Sequence, residues 1–343
     1  MLRHTPPLRL VLAAAWIALA ALALGCSRDR VVPTAPQART ASARGAVPLS
    51  VRNPADVALV MRTQEAHTAR LMGNPDVVGT GTGATTDGRP AVLVLTRRAG
   101  VAGIPRILDG VAVETRVVGN VVAYARPGGG GTIQCGTSTG NDKECSAGTI
   151  GCVVLKGSTK YFLSNNHVFA RENAASIGER IDAPGRYDAH PKCAQTPILG
   201  TLADFQTISF SGDNTIDCAI AQPATGVSFT CADAGGYTPS ATVVAPSVGL
   251  PVMKTGRTSG LTSATISAIN VTVRVQYSAG VATFVNQIMT PGTFIRSGDS
   301  GSLMVTQSGA NPVGLCFAGG SGASFENPIG PVLQKFGATV CSQ

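Results

Sequence analysis

Charge is scarce in this chain of 343 residues: Asp, Glu, Lys and Arg make up only 13% of it. That excludes a disordered polyelectrolyte, which needs high charge and low hydrophobicity, because 44% of the residues are hydrophobic. The net charge is +8, yet the Lys and Arg residues are scattered, with no basic run and no interleaved aromatics. A nucleic-acid groove is therefore a poor reading, and an ordinary basic surface is the better one. Aromatic residues are few, at 5%, and histidine is rarer still: His4, His67, His167 and His190. No Cys-x-x-Cys occurs, and the one close His/Cys pair, His190 and Cys193, has no second pair to complete a tetrahedral metal site. No metal and no cofactor are expected. The longest apolar run, Leu10 to Leu24, has 15 residues and is short for a membrane span. What is plentiful is glycine, 41 residues, which suits a β-rich chain with many turns.

Arg3 and Arg9 precede that apolar run, so residues 1–26 read as an export leader. Ala23-Leu24-Gly25-Cys26 resembles a lipobox, in which lipid is attached to Cys26 after cleavage. An ordinary cut after Ala21-Leu22-Ala23 is the competing reading. Ser27 stands where an Asp would signal inner-membrane retention, which directs a lipoprotein to the outer membrane; with the ordinary cut the protein is periplasmic or secreted. With Cys26 set aside, Cys135, Cys145, Cys152, Cys193, Cys218, Cys231, Cys316 and Cys341 remain. An exported chain with eight cysteines reads as up to four disulfides. Connectivity stays open, with Cys135–Cys145 and Cys316–Cys341 as the expected pairs.

Residues 27–50, rich in Ala, Pro, Ser, Thr and Arg, read as a flexible tether. Val57, Leu59, Val60 and Leu71 fall near helical spacing and predict a helix over Pro54 to Met72. The runs Val77–Gly81, Ala91–Thr96, Val111–Val118 and Val121–Ala125 predict strands, the first two parted by turn chemistry at Asp87-Gly88. Residues 51–125 thus read as a small α/β domain without evident chemistry, either a pro-region or a permanent spacer. The glycines within 126–131 mark a boundary. Beyond it, residues 132–343 show short apolar runs and Gly-rich turns at regular intervals.

One constellation in that last segment carries chemistry. Ser164-Asn165-Asn166-His167 closes the apolar run Val153 to Leu163, which reads as one strand. Asp217 lies within a second run, Ile216 to Ala221. Ser300 is the second serine of Ser297-Gly298-Asp299-Ser300-Gly301. A serine hydroxyl attacks only if its proton can leave; an imidazole takes that proton, and a buried carboxylate orients the imidazole. Gly298 can adopt backbone angles closed to other residues. That lets the N–H groups of Gly298 and Ser300 converge on a developing oxyanion. Alone, Gly-Asp-Ser-Gly is a common turn, and His167 could be a satisfied core histidine. Asp213, after Ser211-Gly212, competes with Asp217 but reads as a turn residue.

In order and context these motifs resemble the chymotrypsin-like serine proteases, above all the bacterial alpha-lytic protease group. The resemblance covers about 200 residues and not residues 1–125. It implies a mainly β fold, a chymotrypsin-like double six-stranded antiparallel β-barrel preceded by the small α/β N-terminal domain. Val252 to Gly260 is similar to a strand-turn segment of the second barrel, and Pro328 to Phe336 to the C-terminal helix. The family's specificity pocket falls on Phe294, Ala318, Gly319 and Gly320; Phe294 argues for an apolar or small side chain in place of Arg or Lys. Lys254 stands where this group places a cation against the acid beside the nucleophile, which implies a buried Lys254–Asp299 pair. There are departures: Val168 where vertebrate relatives have Cys, Ser302 for a glycine, and Ala318 for the serine that hydrogen-bonds the buried Asp. The resemblance implies a serine endopeptidase acting on proteins or peptides. A barrel-bearing binding protein of little activity and an esterase with the same triad are the alternatives.

Overall fold

The computed structural model describes residues 49–123 and 133–342. The expected leader with its expected lipidation site Cys26, most of the expected tether and the glycine-rich linker lie outside the described residues. Among those described, no helix is long and apolar enough to cross a membrane.

The first sheet follows the order Thr339–Val340, Cys152–Lys156, Thr159–Ser164, Ala219–Pro223, Ile198–Phe205, Arg180–Asp182, Ser138–Asn141 and Gly148–Thr149. Its pairings are antiparallel throughout. The run Val153 to Leu163 is not one strand as expected. Gly157, at φ +60°, turns the chain and makes it a hairpin. The exposed polar stretch Lys156 to Lys160 is the break between the two apolar arms. Val153, Phe162, Leu163, Leu199, Leu202 and Ile220 fill the interior of this barrel.

A second antiparallel barrel runs Pro251–Gly256, Leu303–Thr306, Pro312–Gly319, Ala323–Pro328, Val281–Pro291 and Ala268–Gln276, with Gly260–Thr265 hairpinned on its first strand. Val252, Ile288, Met304, Val313 and Cys316 pack inside it. The helix Ile329–Phe336 starts directly from its strand Ala323–Pro328. That helix buries Ile329, Val332 and Phe336 in the core of the first barrel, so it ties the two together.

The N-terminal segment is joined to this body by hydrogen bonds. The helix Pro54–Met72 is N-capped by Asn53, whose Oδ1 accepts the Ala55 N–H at 3.1 Å. It buries Val60, Leu71 and Met72 against Val77, Val92 and Val94. The strand Val77–Ala84 lies between Pro90–Thr96 and Ala268–Gln276, so one sheet runs from the N-terminal segment into the second barrel. Gly79 permits that contact, since a Cβ there would fall 2.6 Å from the Thr272 carbonyl oxygen. Farther on, Val122–Ala123 pairs antiparallel with Ala318–Gly319 and in parallel with Gln276.

The cysteine pairing differs from the expectation. The disulfides are Cys145–Cys193 and Cys231–Cys341, with Cα atoms 5.1 and 5.7 Å apart. Cys316 cannot reach Cys341, because Cys316 sits in the second barrel's core and Cys341 in the first. Cys135 is likewise buried in the first core, whereas Cys145 lies in a loop beside Cys193. Cys135, Cys152, Cys218 and Cys316 are free, buried thiols, so eight cysteines do not make four bridges. Burial, and then the charge of Asp233, pushes the Cys135 thiol up to about 12, far from the reactive thiolate. Two disulfides place the chain in an oxidising compartment.

Candidate active site

His167 lies in a four-residue helix, Asn166–Phe169, entered from the strand Thr159–Ser164. Asp217 does not lie within a strand as its apolar neighbours predict. It occupies the irregular segment just before Ala219–Pro223, and it is fully buried. Side chains hold that irregular backbone in place of a sheet partner. The Asp217 N–H donates to Asn327 Oδ1 at 3.0 Å, and Asn165 Nδ2 donates to the Asp217 carbonyl at 2.7 Å. Asn327 is itself held by Gln287, at 2.6 Å. The Asp217 carboxylate then meets His167: Oδ2 is 2.6 Å from Nδ1, and Oδ1 accepts the His167 N–H at 3.3 Å. The competitor Asp213 is exposed and pairs through its backbone with Thr283, well away from His167's partners.

Ser300 is buried in the loop that joins the second barrel's strands Val281–Pro291 and Leu303–Thr306. Its hydroxyl donates to the Phe317 carbonyl at 3.2 Å, and His167 Nε2 has no hydrogen-bond partner among the described residues. The loop is locked onto the first barrel. The Thr149 N–H donates to the Ser300 carbonyl at 2.8 Å, and Thr149 Oγ1 donates to the Gly298 carbonyl at 2.7 Å. Gly298 has φ +101°, a conformation that glycine adopts freely. Among the described residues, neither the Gly298 nor the Ser300 N–H donates to another backbone group. Gly301 has no room for a side chain, since a Cβ would fall 2.2 Å from Ser164 Oγ.

Asp299 and Lys254 are both fully buried, with Nζ 3.2 Å from Oδ2. Asp299 also accepts the N–H groups of Thr258, Ser259 and Arg296 at 2.9, 3.1 and 2.8 Å, and the Ser259 hydroxyl at 2.5 Å. A carboxylate bonded this fully is held by these groups, while the two candidate oxyanion donors, the N–H groups of Gly298 and Ser300, lie on either side of Asp299 in the chain. Ser302 adds a hydroxyl bond to the Asp299 carbonyl. Phe294 does not face an open pocket. It is buried in the second barrel's core with its ring centroid 5.7 Å from Lys254 Nζ. Ala318 and Gly319 are covered by Val122–Ala123. Over Gly320 a Cβ would fall 2.3 Å from the Val118 carbonyl oxygen.

Two antiparallel barrels meet near His167 and Ser300: a Cβ at Gly148 would fall 2.5 Å from Val168, the residue after His167, and 3.0 Å from the Ser300 carbonyl oxygen. The fold is chymotrypsin-like. No family model matches the chain, and no curated protein matches it. Among solved structures it is similar to a glutamic-acid-specific serine protease, at 22% identity over 61% of this chain and 100% of that one, with a TM-score of 0.45. It is also similar to Thermobifida fusca protease A, at 23% identity over 62% and 99%, TM-score 0.44. A third likeness is to an alpha-lytic protease homolog, at 22% over 60% and 98%, TM-score 0.44.

Within this chymotrypsin-like frame several residues escaped the sequence reading. Arg257 and Asp188 form a buried ion pair, 2.5 Å from Nη2 to Oδ1 and 3.2 Å from Nε to Oδ2, that joins the two barrels. Asn165, Asn327 and Gln287 shape the Asp217 backbone. Glu326 is wholly buried, its Oε2 has no partner among the described residues, and burial raises its pKa to about 8. No local pattern marks such residues; each acts through a partner far away in the chain.

Proposed function

We propose that the protein is an exported serine endopeptidase that cuts peptide bonds of proteins through an acyl-enzyme on Ser300. The observation that carries this reading is the 2.6 Å contact of a fully buried Asp217 carboxylate with His167 Nδ1. A buried carboxylate is costly unless partnered, and here it fixes the imidazole with Nε2 free to act as base. Ser300 Oγ swings from the Phe317 carbonyl toward Nε2 as substrate enters. Oγ attacks the carbonyl carbon while Nε2 takes its proton. The oxyanion draws the N–H groups of Gly298 and Ser300. Collapse expels the amine, which leaves with the proton from Nε2, and water repeats the sequence on the ester. Lipid on Cys26 anchors the enzyme to the outer membrane in this reading.

The N-terminal domain acts here as a regulatory pro-region. Val122–Ala123 occupies the backbone edge of Ala318–Gly319, next to the carbonyl that Ser300 contacts, so a substrate strand must displace it.

A fluorophosphonate probe tests the assignment. It labels Ser300 in the native protein and not in Ser300→Ala, and peptidase activity of Ser300→Ala falls below ~1% of native. Absence of labelling would mean a binding protein, and turnover of esters without amides would mean an esterase.

A further inference from the structure

Asp217 holds more than His167. Its Oδ2 also accepts the Tyr277 hydroxyl, at 2.8 Å. Tyr277 follows the strand Ala268–Gln276, far from His167 and Ser300 in sequence, and no motif marks it. Its ring is buried and lies edge-on to His167, 5.9 Å between centroids. The resemblance to the alpha-lytic group puts a serine hydroxyl on the catalytic acid, from the position that Ala318 holds here. A methyl group donates nothing. We propose that Tyr277 is a positioning residue for the reaction, its hydroxyl giving Asp217 the hydrogen bond that Ala318 cannot. This rests on the protease reading of the site.

A buried phenol needs some partner whatever its role. The surroundings show more than a satisfied hydroxyl. The turn that carries Tyr277 closes with its N–H on the Gly280 carbonyl at 2.8 Å. Glu172 clamps that turn from outside, accepting the N–H groups of Ser278 and Ala279 at 3.1 and 2.9 Å and the Ser278 hydroxyl at 2.5 Å. Glu172 comes from the loop that leaves the His167 helix. Arg171, Glu172 and Asn173 there have φ of +52°, +53° and +78°, an unfavourable run for residues with side chains. Such a run persists where its surroundings over-determine it. On the other side, the Gln276 N–H donates to the Val121 carbonyl at 3.0 Å. The tyrosine is thus braced from both the His167 loop and the N-terminal domain. Burial, then the nearby Asp217 charge, moves its phenol well above the ordinary range, so it stays a donor.

Tyr277→Phe in the full chain keeps the ring and removes only the donor. Its kcat/KM on a peptide substrate should fall about 10- to 100-fold, in kcat rather than KM, as expected for a hydrogen bond to a charged group. With less of its charge satisfied, Asp217 holds the imidazolium more strongly, so the acid limb of the pH profile moves to higher pH. The downfield proton resonance of His167 Nδ1 shifts with it. Adding Ala318→Ser to Tyr277→Phe should recover tenfold or more. Glu172→Gln, which loosens the brace without touching the site, should move the acid limb in the same direction and serves if Tyr277→Phe fails to fold. A folded Tyr277→Phe within twofold of native, with the resonance unmoved, would overturn the proposal, as would an unmoved acid limb in Glu172→Gln. If the native protein ignores fluorophosphonate, the protease reading falls. The resonance still decides Tyr277: a shift upholds it, and none overturns it.

Discussion

Lys254→Met isolates what the buried cation does. The side chain keeps its apolar stem and loses its charge. Asp299 then remains fully buried with four donors, the N–H groups of Thr258, Ser259 and Arg296 and the Ser259 hydroxyl, but without the counter-charge that stood 3.2 Å away. Removing one partner of a buried pair typically costs ~3–5 kcal/mol. The four surviving donors place the loss at the low end, ~3 kcal/mol. At ~2.1 cal/mol/K for each described residue, the protein loses ~1.7 °C per kcal/mol, so melting should fall by roughly 5 °C. Activity should fall too, because Asp299 lies between Gly298 and Ser300, and loss of one oxyanion donor costs ~10²–10³ in kcat. Circular dichroism melting and initial rates on one peptide substrate measure both. Lys254→Met/Asp299→Asn, with the orphan charge removed, should regain most of the melting loss and little of the rate. Lys254→Met with melting within ~2 °C of native and kcat within twofold would refute the reasoning, since no buried pair would then be holding the loop.

Asp217→Asn should lower kcat by ~10⁴ through the wrong imidazole tautomer, a magnitude known for another Ser-His-Asp enzyme; Asp213→Asn should leave kcat near native, and steady-state kinetics that reverse this order would exchange their roles. Glu326 is protonated in the folded protein up to about pH 8, against an ordinary value of 4.5, so its contribution to stability is complete below pH 4.5 and is lost as pH rises toward 8. Glu326→Gln should abolish that slope and be on the order of 3–5 kcal/mol more stable than native at pH 9, with little difference at pH 4.5, by urea unfolding at the two values; equal slopes would show that Glu326 is charged. Residues 132–343 expressed alone should fold poorly, because removing the N-terminal domain uncovers the Ala268–Gln276 strand edge and strips Val78, Leu93 and Leu95 from Val271, Val273 and Phe284. A soluble fragment with native circular dichroism and unchanged activity would make that domain a mere spacer.

By itself the sequence determined whatever is encoded between near neighbours. The helix Pro54–Met72 was legible from apolar residues near helical spacing, a signal carried within a few residues, and the structure adds the Asn53 cap and the first-turn proline that start it. The mainly β class was legible from short runs and glycine turns. The residue types of the candidate triad stood out because histidine is rare and Ser300 is flanked by glycines. Wherever the partner is remote, the tertiary structure decided. Val153 to Leu163 looked like one strand because hairpin arms buried in the same core read alike; the short polar stretch with the turn at Gly157 separates them. Asp217 looked like a strand residue because its neighbours are apolar, but its backbone is bound by Asn165 and Asn327, 52 and 110 residues distant. Cysteine pairing went astray because sequence spacing says nothing about which of two cores a thiol enters. The sheet shared by Val77–Ala84 and Ala268–Gln276 was illegible for the same reason, since an open strand edge carries no mark of its partner. The hydrogen bond from Tyr277 to Asp217 spans 60 residues and joins a phenol to an acid. No local rule links them; burial beside each other does, because a phenol and a carboxylate removed from water must find partners, and the fold leaves each the other.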